Sequence, residues 1–362
     1  MKKRVVVGMS GGVDSSTAAN LLKESGYEVI GATMRIWKER DGGKSPYRCC
    51  GVADVEDARR VAQQLGIPFY VLNLEEEFEK EVIQYFCEEY GKGRTPNPCI
   101  LCNSKVKFGS FLEKALALET DFFSTGHYAR IALDEESGRY LLRKGLDRGK
   151  DQSYVLFSLN QSQLSHTLFP LGEYRKEEVR KKALQLGLRV HDKPDSQEIC
   201  FIQEDSYHPF LSERLKEAIK PGPIIDRKGN VLGSHKGIPF YTIGQRRGLG
   251  LAAGKPLYVV EIDPERNAIT VGEEHEVCRD TFIVDSVNWI ACEQMISSFS
   301  ARVKIRYNHP GSEAILFPAG DDRVEIKFKS PQKAITPGQA AVFYDGETVI
   351  GGGWIKEVIN AK

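Results

Sequence analysis

The chain has 362 residues, with 50 Lys and Arg balanced by 50 Asp and Glu, and 41% of it is hydrophobic. That length suits two or three domains, each able to bury a core. Zero net charge gives no whole-chain bias toward nucleic acid, and no apolar run approaches the ~18–20 residues of a membrane span.

Met1-Lys2-Lys3-Arg4 precedes only Val5-Val6-Val7 before glycine and polar residues intervene. This is too short for a signal peptide and reads as a first buried strand, so the expected location is the cytoplasm. Eight irregularly spaced cysteines then read as reduced thiols, ligands or catalysts, not as a disulfide framework.

Lys3–Gly8 is an apolar strand and Asp14–Ser25 a helix stopped by Gly26. Tyr27–Ile36 is strand-like, Asp54–Leu65 helical, Pro68–Leu74 a strand and Glu75–Tyr90 a long helix. A proline-broken loop, a helix over Ser104–Leu118 and a strand at Asp121–Thr125 complete the rhythm. Alternation of this kind predicts a doubly wound parallel sheet with helices on both faces and ligands at the carboxyl ends of its strands. Beyond about residue 205, short β runs take over: Leu257–Ile262, Ala268–Val271, Thr281–Ile290, Ser300–Tyr307, Arg323–Phe328 and Ala340–Tyr344. They suggest a small barrel or sandwich. Three parts result: an α/β domain over 1–205, a small central domain over 206–278 and a C-terminal β-barrel over 279–362.

The first strand runs into Gly8-Met9-Ser10-Gly11-Gly12-Val13-Asp14-Ser15 and then a helix. Its glycines permit a tight turn whose N–H groups form an anion nest, and the helix adds the positive end of its dipole. Ser10 and Ser15 supply hydroxyl donors, and Asp14 suits Mg²⁺ held against phosphate oxygens. No Gly-Lys-Ser/Thr ending follows, so γ-phosphoryl transfer is not favoured. The loop resembles the signature of the PP-loop ATP pyrophosphatases, which cleave ATP to AMP and pyrophosphate.

Thr95-Pro96-Asn97-Pro98-Cys99-Ile100-Leu101-Cys102-Asn103 forms a second feature. With Cys102 at the start of the Ser104–Leu118 helix and Lys105 and Lys107 nearby, thiolate character is expected. No second Cys/His pair stands at zinc-ligand spacing. Cys87, Cys278 and Cys292 read as small buried hydrophobes, while the Cys49-Cys50 pair fits a buried pair or a reactive dithiol equally. Cys200 follows Asp195-Ser196-Gln197-Glu198-Ile199, polar flanks that predict a surface loop.

Further segments carry a closer likeness: Gly126-His127-Tyr128-Ala129-Arg130, Lys150-Asp151-Gln152-Ser153-Tyr154, Tyr241-Thr242-Ile243-Gly244-Gln245-Arg246 and Thr336-Pro337-Gly338-Gln339. With the phosphate loop and the two cysteine segments, they follow the order of the bacterial tRNA-specific 2-thiouridylase (MnmA) family, which the chain resembles from end to end. The resemblance implies ATP-dependent adenylation and sulfuration at C2 of the wobble uridine in tRNAs for Lys, Glu and Gln.

On that likeness Cys200 carries a persulfide delivered by a cysteine desulfurase or a sulfur-relay protein. Cys102 is the nucleophile that frees the sulfur, leaving a transient Cys102–Cys200 disulfide. Gly8, Met9, Ser10, Gly11, Gly12, Val13, Asp14, Ser15, Met34 and Gly126 match nucleotide-binding positions. Asn97, Pro98 and Cys99 match the segment that meets the target base. His127, Lys150, Asp151, Gln152, Arg306, Tyr307 and Gln339 match tRNA contacts, with Arg306 and Tyr307 expected on a barrel strand. Many family members carry aspartate where this chain has Cys99. A [4Fe–4S] cluster on Cys99, Cys102 and Cys200 is therefore a second route for the sulfur. Rival functions are a PP-loop ligase acting on a small molecule and a non-catalytic RNA binder that senses ATP. Nothing suggests an obligate oligomer, so a monomer is expected.

Overall fold

The computed structural model describes residues 2–36, 51–193, 199–202, 206–217, 219–320 and 322–359. Cys49-Cys50 and Asp195-Ser196-Gln197-Glu198 lie outside them. Among the described residues no helix is long and apolar enough to cross a membrane.

The first half builds on strands β1 (Arg4–Gly8), β2 (Glu28–Arg35), β3 (Phe69–Asn73) and β4 (Phe122–Ser124). It also contributes a hairpin, β5 (Ala129–Asp134) and β6 (Arg139–Lys144), and a short β7 (Thr167–Leu168). One parallel sheet runs in the order β3-β2-β1-β4-β7. Val5, Val6 and Val7 are all fully buried because both faces of β1 are covered. Strand alternation sends Val5 and Val7 toward the helices Val13–Glu24, Val52–Leu65 and Lys176–Gln185. Val6 joins Phe78, Phe86, Val106, Phe108 and Phe111 from helices 75–91 and 98–116 on the other face. At roughly 1.5–3 kcal/mol for each large side chain removed from water, these two clusters hold the domain together.

The central part is a four-stranded sheet formed by β8 (Gly222–Ile225), β9 (Val231–His235), β10 (Tyr258–Asp263) and β11 (Ala268–Gly272). Ile224, Tyr241, Val259, Ile269 and Val271 fill its core. The barrel comprises β12 (Cys278–Trp289), β13 (Phe299–Lys304), β14 (Ser312–Pro318), β15 (Val324–Lys333), β16 (Ala340–Asp345) and β17 (Thr348–Val358). Its strands run β12-β15-β14-β13-β16-β17, and β17 closes back onto β12.

Two features were not anticipated from the sequence. Residues 348–358 hold Gly351-Gly352-Gly353, which breaks the apolar pattern of a strand, yet they form β17. The glycines are there because partners crowd in: a Cβ on Gly352 would lie 2.7 Å from both Ala341 O and the Phe157 ring. One on Gly351 would lie 2.5 Å from Asn288 O. Second, the β5–β6 hairpin from the first half extends the barrel sheet, with Arg143 opposite Thr348.

The three parts meet at Arg94 and Thr95. Thr95 N donates to Pro337 O at 2.9 Å, and Thr95 O accepts from Gln339 Nε2 at 2.9 Å. Thr95 Oγ1 bonds Thr242 Oγ1 of the central part at 3.0 Å. Arg94 pairs with Glu89 at 2.9 Å and reaches Ile355 O. Gly338 permits this approach with a left-handed φ of +91° and no Cβ, which would stand 3.0 Å from Thr95 N and 3.1 Å from Arg94 Cβ.

Gly338→Ala should therefore cost about 1–3 kcal/mol through strain and displacement of the Thr95 turn. Calorimetry should show a lowered unfolding midpoint; an unchanged midpoint would mean that the junction is loose.

Candidate active site

Strand order reverses between β1 and β4, and the phosphate loop leaves β1 at that point. A crevice opens there because successive connections diverge to either side. Met9 N donates to Ala32 O at 2.7 Å, which holds the start of the loop to β2. Gly11 has φ +70°, and a Cβ on it would fall 2.2 Å from Asp54 O. Ser15 Oγ accepts from Ser10 N at 3.1 Å and donates to Gly12 O at 3.3 Å. Gly12 caps the Val13–Glu24 helix, so the first N–H groups of that helix point out of the loop. Met34, at the same end of β2, is half-buried. Gly126, just past β4, packs so tightly that a Cβ would lie 2.7 Å from Ser15 N. Gly8 through Ser15, Met34 and Gly126 thus belong to one end of one sheet.

The expectation for Asp14 needs amendment. Both of its oxygens accept from Lys176 Nζ at 2.7 Å, and Tyr128 Oη donates to Oδ1 at 2.8 Å. Lys176 is 7% exposed, the only Lys or Arg among the described residues so deeply buried. A lone lysine at the head of a helix gives no sequence signal, so its role had to come from tertiary structure. Among the described residues no three His, Cys, Asp or Glu side chains form a metal-holding group. For Asp14 to share Mg²⁺ with phosphates, as a single carboxylate can, it would have to exchange the Lys176 ammonium for the ion. A second lysine supports the loop from behind. Lys193 Nζ donates to Gly11 O at 3.2 Å, Asp54 Oδ1 at 2.6 Å and Asp57 Oδ2 at 3.1 Å. Burial pulls its ammonium down, but its hydrogen bonds and ion pairs with Asp54 and Asp57 outweigh this and raise its pKa.

The cysteine helix starts earlier than predicted. Asn97 is the N-cap, accepting from Cys99 N at 3.2 Å, and Pro98 occupies the first helical position. Cys99 is exposed at this end, whereas Cys102 falls in the second turn and faces the core. Burial raises the Cys102 pKa, and the charge of Lys107 offsets only part of this. The thiolate expected at rest is replaced by a buried thiol, because the dipole end of the helix is a turn away.

His127 is also interior: its Nδ1 bonds Thr125 Oγ1 at 2.7 Å, and its ring lies 5.9 Å from both Phe108 and Phe169. Burial, and then Lys107, hold its pKa well below the usual imidazole value, so it is neutral. His127 packs on Phe108 of the helix that carries Cys102, and it adjoins Gly126, which packs against Ser15 of the phosphate loop. That chain of neighbours connects the nucleotide end to the thiol.

Cys200 is half-buried against the same core as Cys102. Its neighbour Phe201 is wedged among Phe78, Phe86 and Phe210, with centroids 5.2–5.9 Å away. The surface loop expected here is thus pinned by an aromatic anchor. Cys99, Cys102 and Cys200 do not assemble into a metal-holding trio among the described residues, so this arrangement does not fit a cluster. Cys87 is buried, and desolvation pushes its thiol up to about 11. Cys278 and Cys292 are half-buried, not core residues.

The residues matched to tRNA contacts divide into two groups. Asp151 Oδ1 accepts from Gly145 N and Ser153 N, each at 3.1 Å, and Oδ2 accepts from Ser153 Oγ at 3.0 Å. Gln152 Oε1 accepts from Tyr128 N at 3.0 Å, and Gln339 holds Thr95. Like that of His127, these side chains are turned inward. Lys150 is half-buried, while Arg306 and Tyr307 are exposed. Both lie in the turn after β13, not on the strand, because pairing ends at Lys304. Arg306 reaches Lys333 O at 3.1 Å, and Tyr307 Oη donates to Asp151 O at 3.2 Å.

Three family models match consecutively: a tRNA methyl transferase HUP domain over residues 3–204, a tRNA methyl transferase PRC-barrel domain over 208–273 and an aminomethyltransferase beta-barrel domain over 279–355. A tRNA-specific 2-thiouridylase MnmA of Acetivibrio thermocellus is 51% identical, across 98% of this chain and 99% of that protein. Another, of Symbiobacterium thermophilum, is 53% identical across 99% of this chain and 93% of its own length. The chain belongs to the tRNA-specific 2-thiouridylase (MnmA) family. Among solved structures, a 4-thiouridine synthetase–RNA complex with bound ATP aligns over 60% of this chain and 51% of its own, at 18% identity and a TM-score of 0.34. That likeness is too slight to bear on the site. Family membership rests on the close relatives, which carry the thiouridylase name although two of the matching models are described by methyl transfer.

Burial of Cys102 makes its reactivity distinctive. In the folded protein at about pH 8, iodoacetamide should modify Cys99 and spare Cys102, whose labelling rises only above the range of a free thiol or on unfolding. Peptide mass mapping would read this, and equal labelling of the two at neutral pH would contradict the burial.

Proposed function

We propose that this chain is a tRNA-uridine 2-sulfurtransferase acting on the wobble uridine of tRNAs for Lys, Glu and Gln. The observation that carries the reading is the contiguity of an ATP-type phosphate loop with a buried thiol, through Gly126, His127 and Phe108. The same thiol helix begins at an Asn97–Cys99 turn that the barrel holds through Thr95. A small-molecule ligase has no need of such a registered turn, and a passive RNA binder has no need of the thiol.

The sequence of events follows from the parts. The Gly8–Ser15 loop and the head of the Val13–Glu24 helix bind the phosphates of ATP, with Lys176 and Asp14 alongside. Mg²⁺, held by Asp14 and the phosphates, would neutralise developing charge. The uridine C2 oxygen attacks the α-phosphorus and pyrophosphate leaves, which makes C2 electrophilic. A wobble uridine is unpaired in its loop, so bringing it to Asn97, Pro98 and Cys99 costs less than flipping from a duplex.

Cys200 carries the incoming sulfur as a persulfide, loaded by a cysteine desulfurase or a relay protein. Cys102, once deprotonated, attacks the inner sulfur of that persulfide. The S–S bond breaks, hydrosulfide is freed, and a Cys102–Cys200 disulfide remains. Hydrosulfide adds at C2, AMP departs and a proton is released. An external thiol supplies the two electrons that restore both cysteines. Lys150, Arg306 and Tyr307 contact the RNA, while His127, Asp151, Gln152 and Gln339 shape the surface through their internal hydrogen bonds. Residues 1–205 form the catalytic domain, with 206–278 and 279–362 serving tRNA binding in a cytoplasmic monomer.

The deciding experiment incubates the enzyme with ATP, a persulfide donor and unmodified tRNA. Nucleoside mass analysis should show one oxygen replaced by sulfur at the wobble position. Cys200→Ser should abolish this gain yet retain tRNA-dependent pyrophosphate release. Thiolation by the Cys200→Ser protein, or pyrophosphate release indifferent to tRNA, would overturn the assignment.

A further inference from the structure

Two lysines at the seam between the β5–β6 hairpin and the barrel have no part in the chemistry above. Lys144 ends β6 and Lys304 ends β13. Lys144 Nζ stands 4.3 Å from the Tyr344 ring centroid and donates to Gly346 O at 2.9 Å. Lys304 Nζ sits to one side of a packed ring pair, 5.7 Å from Tyr154 and 5.8 Å from Tyr307, whose centroids are 6.0 Å apart. Among the described residues neither forms an ion pair.

The one acid whose charge favours both ammonium groups is Asp151, and its oxygens already accept three hydrogen bonds. Burial holds both groups below the usual lysine range, and Asp151 does not restore them. Lys144 is lowered further by Arg148, Lys304 and Arg302. Half-buried cations whose one nearby carboxylate is already occupied gain from an incoming anion, which would relieve their desolvation.

Position indicates which anion. Tyr307 packs on Tyr154 with ring centroids 6.0 Å apart, and the Ser153–Leu156 turn that carries Tyr154 contacts the Pro98–Leu101 helix start, so the Asn97–Cys99 turn lies close by. Tyr154 Oη donates to Ala340 O at 2.9 Å, one residue from the Gln339 that grips Thr95. The cluster therefore borders the base-facing turn. The phosphate loop has its own cations in Lys176 and Lys193. Tyr154 and Tyr344 are fully buried and back the cations, whereas Tyr307 is exposed. Cations beside an exposed ring suit an unpaired RNA strand, whose backbone they neutralise while a base stacks.

We propose that Lys144 and Lys304, walled by Tyr154, Tyr307 and Tyr344, form an RNA-phosphate subsite that receives the backbone beside the extruded uridine. The inference rests on the reading of the chain as a tRNA-modifying enzyme. Such a contact orients the strand and carries no sequence information, so it acts on every substrate tRNA alike.

The test compares Lys144→Met, Lys304→Met and the double variant with wild type in binding unmodified tRNA across a range of KCl concentrations. Methionine keeps much of each side chain's length and its contact with the rings. Each substitution should flatten the plot of log affinity against log salt by about 0.7–0.9, with about threefold to tenfold weaker binding near 0.1 M salt. ATP affinity measured without RNA should stay at the wild-type value. An unchanged slope in the double variant overturns the subsite.

Lysine acetylation footprinting of the wild-type protein keeps the test independent of folding defects. tRNA should shield both lysines, while tripolyphosphate at matched phosphate concentration should not. Equal reactivity with and without tRNA, or equal shielding by tripolyphosphate, counts against the proposal. A wild-type protein that neither binds nor thiolates tRNA refutes the functional reading itself. One that does both but leaves the lysines unshielded refutes only the subsite.

Discussion

Every polar group of Thr95 is bonded outside its own segment: N–H and C=O to the barrel, hydroxyl to the central part. Each bond is worth about 0.5–1.5 kcal/mol net, a modest sum. Their value is geometric. Two residues later Asn97 caps the helix that carries Cys99 and Cys102, so the place of both cysteines is set by surfaces from all three parts. Adding the Arg94 pair with Glu89 and its reach to Ile355 O makes that turn the common reference of the molecule.

From this reference the chemistry spreads in two directions. Toward the sheet, Phe108, His127 and Gly126 lead to a phosphate loop whose acid, Asp14, is held by a buried lysine. Toward the barrel, Tyr307, Tyr154 and Lys304 lead to a surface with spare positive charge. Zero net charge for the whole chain concealed this division, because the balancing acids lie elsewhere, as at Glu75-Glu76-Glu77. Between the two directions sits the buried Cys102 thiol, and a thiol kept protonated by burial is slow to oxidise.

The phosphate loop was legible in the sequence because its requirements are local. Glycines at tight approaches, two serines, an aspartate and a preceding run of valines describe a strand, a nest and a helix start without reference to distant residues. The Cys102 environment was not legible in the same way. Thr-Pro-Asn-Pro reads as a helix breaker, yet Pro98 sits at the one helical position that tolerates it, and this shift of one turn takes Cys102 away from the dipole. His127, Asp151 and Gln339 were visible only as residues matching a family pattern. Their bonds to Thr125, Ser153 and Thr95 are products of tertiary folding and leave no trace in spacing. Gly351-Gly352-Gly353 is another case, where three glycines stand inside a strand because neighbouring backbone and side chains need the space.

The β5–β6 hairpin is made in the first half of synthesis but finds its neighbour β17 only at the far end, about two hundred residues later. Until then one edge of β6 has no strand to meet, and an unpaired edge is a template for wrong partners. Charged residues line that strand at Arg139, Arg143 and Lys144, which discourages such pairing while the ribosome finishes. The first half thus leaves the ribosome with part of its surface provisional, and a chain cut short before β17 would lack the strand that completes it.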